Sequence, residues 1–159
     1  MMLMDVEDEY RRHAPALIHY ATILVGPNDA SDVVNEAVTA TLARGSLDGV
    51  SNVRAYWFRA VTNTAAGLHR SRLRRQRRES LTAARVAVAS GDLEEPTDAR
   101  RVLGVLSLQQ RSVVYLTYWH DWDPARIADV LGVSEGTVRK QLARGRQQLR
   151  EVLDNEQSR

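Results

Sequence analysis

The residues best suited to do chemistry lie in Pro124–Arg150, PARIADVLGVSEGTVRKQLARGRQQLR. Arg139, Lys140, Arg144 and Arg146 fall on the outer surface of a helical pattern whose inner side carries Val138, Leu142, Gly145 and Leu149. A cationic face of this kind suits a polyanion: it neutralises phosphates, and a guanidinium can bridge base edges in a DNA groove. Ser134 precedes the pattern, and its hydroxyl can accept from the amide of Gly136 or Thr137, which makes it an N-cap. Upstream, Ile127, Ala128 and Leu131 form the apolar face of a short helix, and Gly132 lets the second helix cross the first steeply. Bulk at Ala128 would keep the two helices apart, and Val138 plugs the gap between them. This is the spacing of a helix-turn-helix, and the chemistry it offers is DNA reading.

Bond-making chemistry is poorly supplied. The chain has no cysteine, so it has no disulfide, thiolate metal site or cysteine nucleophile. His13, His19, His69 and His120 are scattered without metal-ligand spacing. Asp121 and Asp123 could be imagined in a nuclease, but no third ligand accompanies them, and Asp123 suits the cap of the following helix. No metal and no cofactor are expected.

The elements that must position the basic face are all helical by pattern. Asp5 can cap a helix to about Leu24, with Tyr10, Ala14, Leu17, Ala21 and Leu24 on one side and a kink expected at Pro15. Gly26-Pro27-Asn28 breaks the chain, and Asn28 or Asp29 caps a second helix. That helix turns Val33, Val34, Ala37, Val38, Thr41 and Leu42 inward and leaves Asp32, Asn35 and Glu36 outward. Gly45–Ser51 is a loop. A long helix from about Val53 to Arg78 starts with Tyr56, Trp57 and Phe58, with the last two read as core, and ends in six arginines between Arg70 and Arg78. Residues 79–97 turn small and acidic, with Gly91 and Pro96, which reads as a linker with a helical piece around Ala83–Ala89. A short helix covers Asp98–Leu106, and Ser107 with Gln110 forms a capping box for the next, through Val113, Leu116 and Thr117. His120–Asp123 leads into the helix-turn-helix. No strand-like alternation or phosphate-cradling glycine motif occurs. The expected fold is all-α: two small helical domains, residues 1–78 and 98–159, joined by a flexible linker over 79–97, with the helix-turn-helix in the second.

Net charge is only +2, but acidic and basic blocks alternate, so two separate cationic surfaces could touch one polyanion. No apolar run of about eighteen residues occurs, and MMLMDVEDEY lacks the basic start of a signal peptide. A cytoplasmic protein with no membrane partner is expected.

Taken in order, three motifs resemble bacterial sigma factors of the extracytoplasmic-function (ECF) type, in the sigma-70 family. The resemblance covers about Glu7–Arg78 and Asp98–Glu151. DASDVVNEAVTATL (Asp29–Leu42) is similar to the acidic segment by which that family docks on the clamp helices of the polymerase β′ subunit, which implies Asp32, Asn35 and Glu36 as core-polymerase contacts. Asn35 stands where glutamine is usual. RAYWFRAVTNTAAGLHRSR (Arg54–Arg72) looks like the helix that opens the −10 element and holds a flipped base. It implies roles for Tyr56, Asn63, Arg70 and Arg72, with Gly45–Asn52 as the pocket loop. A base leaving the stack needs an edge to read it and cations for its phosphates. Gly67 replaces the family's aspartate. LSLQQRSVVYLTYWHDWDPARIADVLGVSEGTVRKQLARGRQQL (Leu106–Leu149) is close to the −35-reading region. It implies base or phosphate contacts for Arg139, Lys140 and Arg144, and phosphate contacts for Ser134 and Thr137 at the helix N-terminus. Lys140 replaces the usual serine, and Gln141 stands where a basic residue is frequent.

The resemblance implies an alternative sigma factor without catalysis of its own. Its partners would be core RNA polymerase (β′ clamp helices and β flap), promoter DNA and a separate anti-sigma factor. A helix-turn-helix regulator that never binds core polymerase is the alternative, because LGVSEGTVRKQLARGR also resembles response-regulator effector domains. That class predicts an upstream α/β receiver or ligand pocket, whereas the first half here reads as all-helical.

Overall fold

A computed structural model describes residues 6–44, 47, 49–82 and 98–159, apart from the side chains of 80–82. Among the described residues there are seven helices and no strand: α1 (Val6–Val25), α2 (Pro27–Ala43), α3 (Val53–Thr82), α4 (Asp98–Leu103), α5 (Leu108–Tyr118), α6 (Pro124–Leu131) and α7 (Glu135–Gln157). Gly45, Ser46, Asp48 and the proposed helical piece at Ala83–Ala89 lie outside the described residues.

Helix α1 buries Leu17, Tyr20, Ala21, Ile23 and Leu24 against α2 and α3. Pro15 does not end it: the helix runs on through the proline, which is exposed, to Val25. The break before α2 is made by Gly26, whose φ of 90° favours glycine, and by Pro27 at the first helical turn. No side chain caps α2, so neither Asn28 nor Asp29 takes the role expected of it. Ala30, Val33, Val34 and Ala37 form its buried stripe, but Leu42 is 52% exposed, against expectation. Trp57 and Phe58 are fully buried, as read, together with Val61 and Ala65. Helix α3 continues to Thr82, so what was read as the start of the linker is its last turn.

In the second half, Ser107 and Gln110 form the reciprocal capping box on α5. Helix α7 lies across α5 with Gly145 at the crossing, where a Cβ would stand 3.0 Å from Val114 Cγ2. The two halves do not stand apart. Helix α1 packs on α5 and α3 on α6, so one apolar core runs from Leu17 through Phe58 to Tyr115 and Trp122.

Candidate nucleic-acid interface

Local chemistry sets the helix-turn-helix. Asp123 accepts from the Arg126 amide at 2.9 Å and caps α6, with Pro124 at the first turn. Asp123 is thus a cap, and among the described residues no group of three or more His, Asp or Glu could hold a metal. Gly132 ends α6 in the left-handed region, φ 68°, where glycine carries no steric penalty. Ser134 Oγ accepts from the Thr137 amide at 3.1 Å and lies 2.9 Å from the Thr137 hydroxyl, so the cap falls on Thr137 rather than Gly136. Ala128 and Val138 are buried between the two helices. The α7 amide end, with both hydroxyls, therefore faces outward ready for an anion.

The cations on α7 have different fates. Arg146 turns back: its Nε donates to the Tyr118 hydroxyl at 2.6 Å and its guanidinium lies over the Tyr118 ring. Arg139 reaches Glu135 at 3.2 Å, an exposed pair worth well under ~1 kcal/mol and easily exchanged for a phosphate. Lys140 and Arg144 are exposed and, among the described residues, make no hydrogen bond or ion pair. Four residues apart, they share one side of α7, whereas Arg139 stands about 100° away from Lys140.

On α3, Tyr56, Asn63 and Arg70 recur every seven residues and so share a stripe. Tyr56 is half-buried and Asn63 exposed. They line a recess of about 130 Å³ together with Thr41 and Arg44 of the α2 end. A ring, an amide and a guanidinium around one concavity can hold an unstacked base and its phosphate. Arg70 continues the stripe. Arg72 does not: nine residues beyond Asn63 it points to the far side, where it pairs with Asp29 on α2. On α2, Asp32, Asn35 and Glu36 are all exposed, with Asp32 and Glu36 one turn apart on a common face.

Two sets of residues went unassigned in the sequence. Arg111, within the motif read as the −35 region, donates to five carbonyls: Leu103 (3.1 Å), Gly104 (3.5 Å) and Leu106 (3.0 Å) of its own half, and Ile23 (3.3 Å) and Leu24 (2.8 Å) of α1. Burial pulls its pKa down, but the cation still caps the C-terminal carbonyls of a helix that has no basic residue in its own last turn. The other set is His120 and Trp122, which the loop after α5 delivers to the junction of the halves. Asp121 takes φ 55° there, a region aspartate tolerates better than most residues. The turn drives Trp122 inward until it is 6% exposed.

Comparison with known proteins adds independent findings. Residues 97–149 match the family model for "Sigma-70, region 4". The chain is 33% identical over 162 residues to an RNA polymerase sigma-E factor of Streptomyces avermitilis, covering 96% of this chain and 87% of that protein. It is 30% identical over 141 residues to the ECF RNA polymerase sigma factor SigL of Mycobacterium tuberculosis, covering 84% and 80% respectively. In fold it is similar to the sigma factor RpoE of Bartonella quintana solved with the anti-sigma factor NepR. That likeness has a TM-score of 0.73 at 24% identity and spans 93% of this chain and 96% of that one. CnrH, solved with the cytosolic domain of CnrY, is similar with a TM-score of 0.66 at 25% identity, over 94% and 88%.

Proposed function

The chain belongs to the ECF group of the sigma-70 family of RNA polymerase sigma factors, and from that premise we propose how its faces divide the work of promoter recognition. As an alternative sigma factor it directs transcription initiation and is not itself an enzyme. Residues 1–78 hold core polymerase and read and open the −10 element, residues 98–159 read the −35 element, and residues 79–97 connect the two. Asp32, Asn35 and Glu36 present an acidic face to the β′ clamp helices. Tyr56 and Asn63 take an unstacked −10 base in their recess, with Arg70 on the phosphates beyond it. Arg72 joins that track only by leaving Asp29.

On α7, Lys140 and Arg144 reach base edges, Arg139 makes mixed base and phosphate contacts, and Ser134 and Thr137 hold a phosphate at the helix N-terminus. The observation that carries this assignment is the sharing-out of cations. Arg111 and Arg146 are engaged within the fold, whereas Lys140 and Arg144 remain outward on one side. A second half that also touches the β flap and a separate anti-sigma partner complete the set, the latter in keeping with the related RpoE structure solved with the anti-sigma factor NepR. Among the described residues no helix is long and apolar enough to cross a membrane; the cytoplasmic site of action belongs to the proposal through its partner, core polymerase.

The test reverses charge at both Asp32 and Glu36 in the full chain. Core polymerase then fails to co-purify with it, while binding to a duplex carrying the −35 element is unchanged. Undiminished co-purification refutes the core-binding assignment.

A further inference from the structure

A cavity of about 570 Å³ stands apart from the promoter and polymerase faces: of the residues assigned to those faces, only Arg72 borders it. The last turn of α1 and parts of α3, α4 and α5 form its walls. Four guanidiniums, those of Arg72, Arg100, Arg101 and Arg111, line it together with the imidazole of His69. Among the described residues lining it there is no Asp or Glu. Charge of one sign gathered around a concave space focuses its field there and draws in counter-ions.

The carboxylates that answer these arginines lie outside the cavity lining. Arg72 pairs with Asp29 of α2, and Arg101 with Glu156 of α7 at 3.1 Å and more loosely with Asp98 at 3.8 Å. Water screens both sets, so they are readily exchanged for a better acceptor. Arg111 differs. Its donors go to backbone carbonyls, which satisfy hydrogen bonds but leave the charge uncompensated, and among the described residues it forms no ion pair. A partly buried cation without a carboxylate is costly, and an anion beside it lowers that cost. The same contacts remove an obstacle. The α1 carbonyls that would repel an anion are already taken, that of Thr22 by the Gly26 amide at 2.9 Å and those of Ile23 and Leu24 by Arg111.

Guanidinium forks fit phosphate oxygens two at a time. In a space of this volume one phosphate is too small to meet the α3, α4 and α5 walls together, whereas a short chain of phosphates spans them. Apart from His69 no ring lines the cavity, so nothing is placed to stack a base. The recess therefore suits the phosphate chain itself and is indifferent to the group attached to it.

We propose that this cavity is a binding site for a short phosphate chain, free or carried by a nucleotide, held by Arg72, Arg100, Arg101 and Arg111. Nothing in it depends on the sigma-factor reading, and the free full chain is enough to test it. Calorimetric titration in phosphate-free buffer without divalent cations compares inorganic triphosphate, ATP, GTP and orthophosphate. Triphosphate is expected to bind at one saturable site, and orthophosphate about tenfold or more weaker, because it engages fewer forks. ATP and GTP should bind within about threefold of each other, since no ring reads the base. Tighter binding of triphosphate than of ATP identifies a free oligophosphate as the ligand, and the reverse order a nucleotide. Replacing both Arg100 and Arg101 by Gln on α4 should weaken triphosphate about tenfold or more. Removing the same two charges at Arg11 and Arg12, exposed near the start of α1, should leave it unchanged. The ligand series on the wild-type chain stands whatever the variants do to stability. No saturable triphosphate binding overturns the proposal, as does orthophosphate binding equally well. Equal losses in the two double variants would reduce the effect to net charge and overturn it too. So would displacement of triphosphate by a duplex without promoter sequence at equal phosphate concentration, which would assign the cavity to nucleic acid.

Discussion

At the scale of residues, the cations proposed to read DNA are distinct from those engaged within the fold. Arg144→Ala is expected to cost about 1–3 kcal/mol on the preferred −35 element and to flatten discrimination at one base position. Arg146→Ala should leave discrimination intact, because that guanidinium is turned onto Tyr118. Binding of both variants to a randomised −35 pool checks the pair, and equal effects would contradict the distinction. Arg139 lies between: if it contacts phosphate, its removal weakens all sequences alike and lowers the salt slope by about one unit. On α3, Asn63→Ala should reduce transcription from duplex promoters more than from templates already melted around −10. Pre-melting removes an unstacking cost of a few kcal/mol that the recess is proposed to help offset. Equal losses on both templates would mean that Asn63 acts only after opening.

At the scale of elements, two glycines in long helices should respond in opposite senses to the same substitution. Gly67, where the family's aspartate is missing, has only the end of Arg70 within 4 Å of a would-be Cβ. Gly67→Ala should therefore gain about 1 kcal/mol and raise Tm by roughly 2–4 °C. At Gly145 the same methyl meets the buried, β-branched Val114 at 3.0 Å, and overpacking of about 1–3 kcal/mol cancels or outweighs the gain. Thermal melts of both variants decide, and a similar rise in each would mean that α5 and α7 are less closely packed. The same contrast explains what could be read in advance. The caps at Ser107, Asp123 and Ser134 and the turn at Gly132 were legible because side chain and backbone settle them within four residues. The start of α2 was misread because backbone conformation at Gly26 and the ring of Pro27 did the work expected of Asn28 or Asp29. Leu42 was misplaced because a stripe says which residues share a side, and a partner must then reach that far. Tyr56, Asn63 and Arg70 formed a legible stripe. Arg72 broke from it because adjacency in a basic run hides the half-turn that carries it to Asp29.

At the scale of the whole molecule, the junction was illegible because its partners are remote: His19 meets Tyr115 across 96 residues and Arg54 meets His120 across 66. That junction should respond to pH through His120. Burial first, and then the Arg54, His19 and Arg126 charges around it, push its pKa down to about 4 from an ordinary value near 6.5. Tyr115, also against it, has its own pKa raised by burial and stays protonated. A depressed histidine contributes fully above about pH 6.5, and its contribution is lost as pH falls toward 4, because the unfolded chain then takes up a proton the folded one resists. The Tm of the free chain should accordingly fall over that interval. His120→Gln, which keeps an acceptor for Arg54 without titrating, should flatten this dependence, and an unchanged pH profile would mean other groups set it. The central claim, that this chain gives core polymerase its promoter choice, is tested most directly by transcription in vitro with purified core polymerase, the full chain and a randomised promoter library. Transcripts should depend on the chain, and the selected templates should share two sequence blocks about 25 base pairs apart. Arg144→Ala should alter only the upstream block and Asn63→Ala only the downstream one. Selection of a single DNA block by binding, with no transcript from any template, would contradict the account and mark the chain as a regulator that acts without core polymerase.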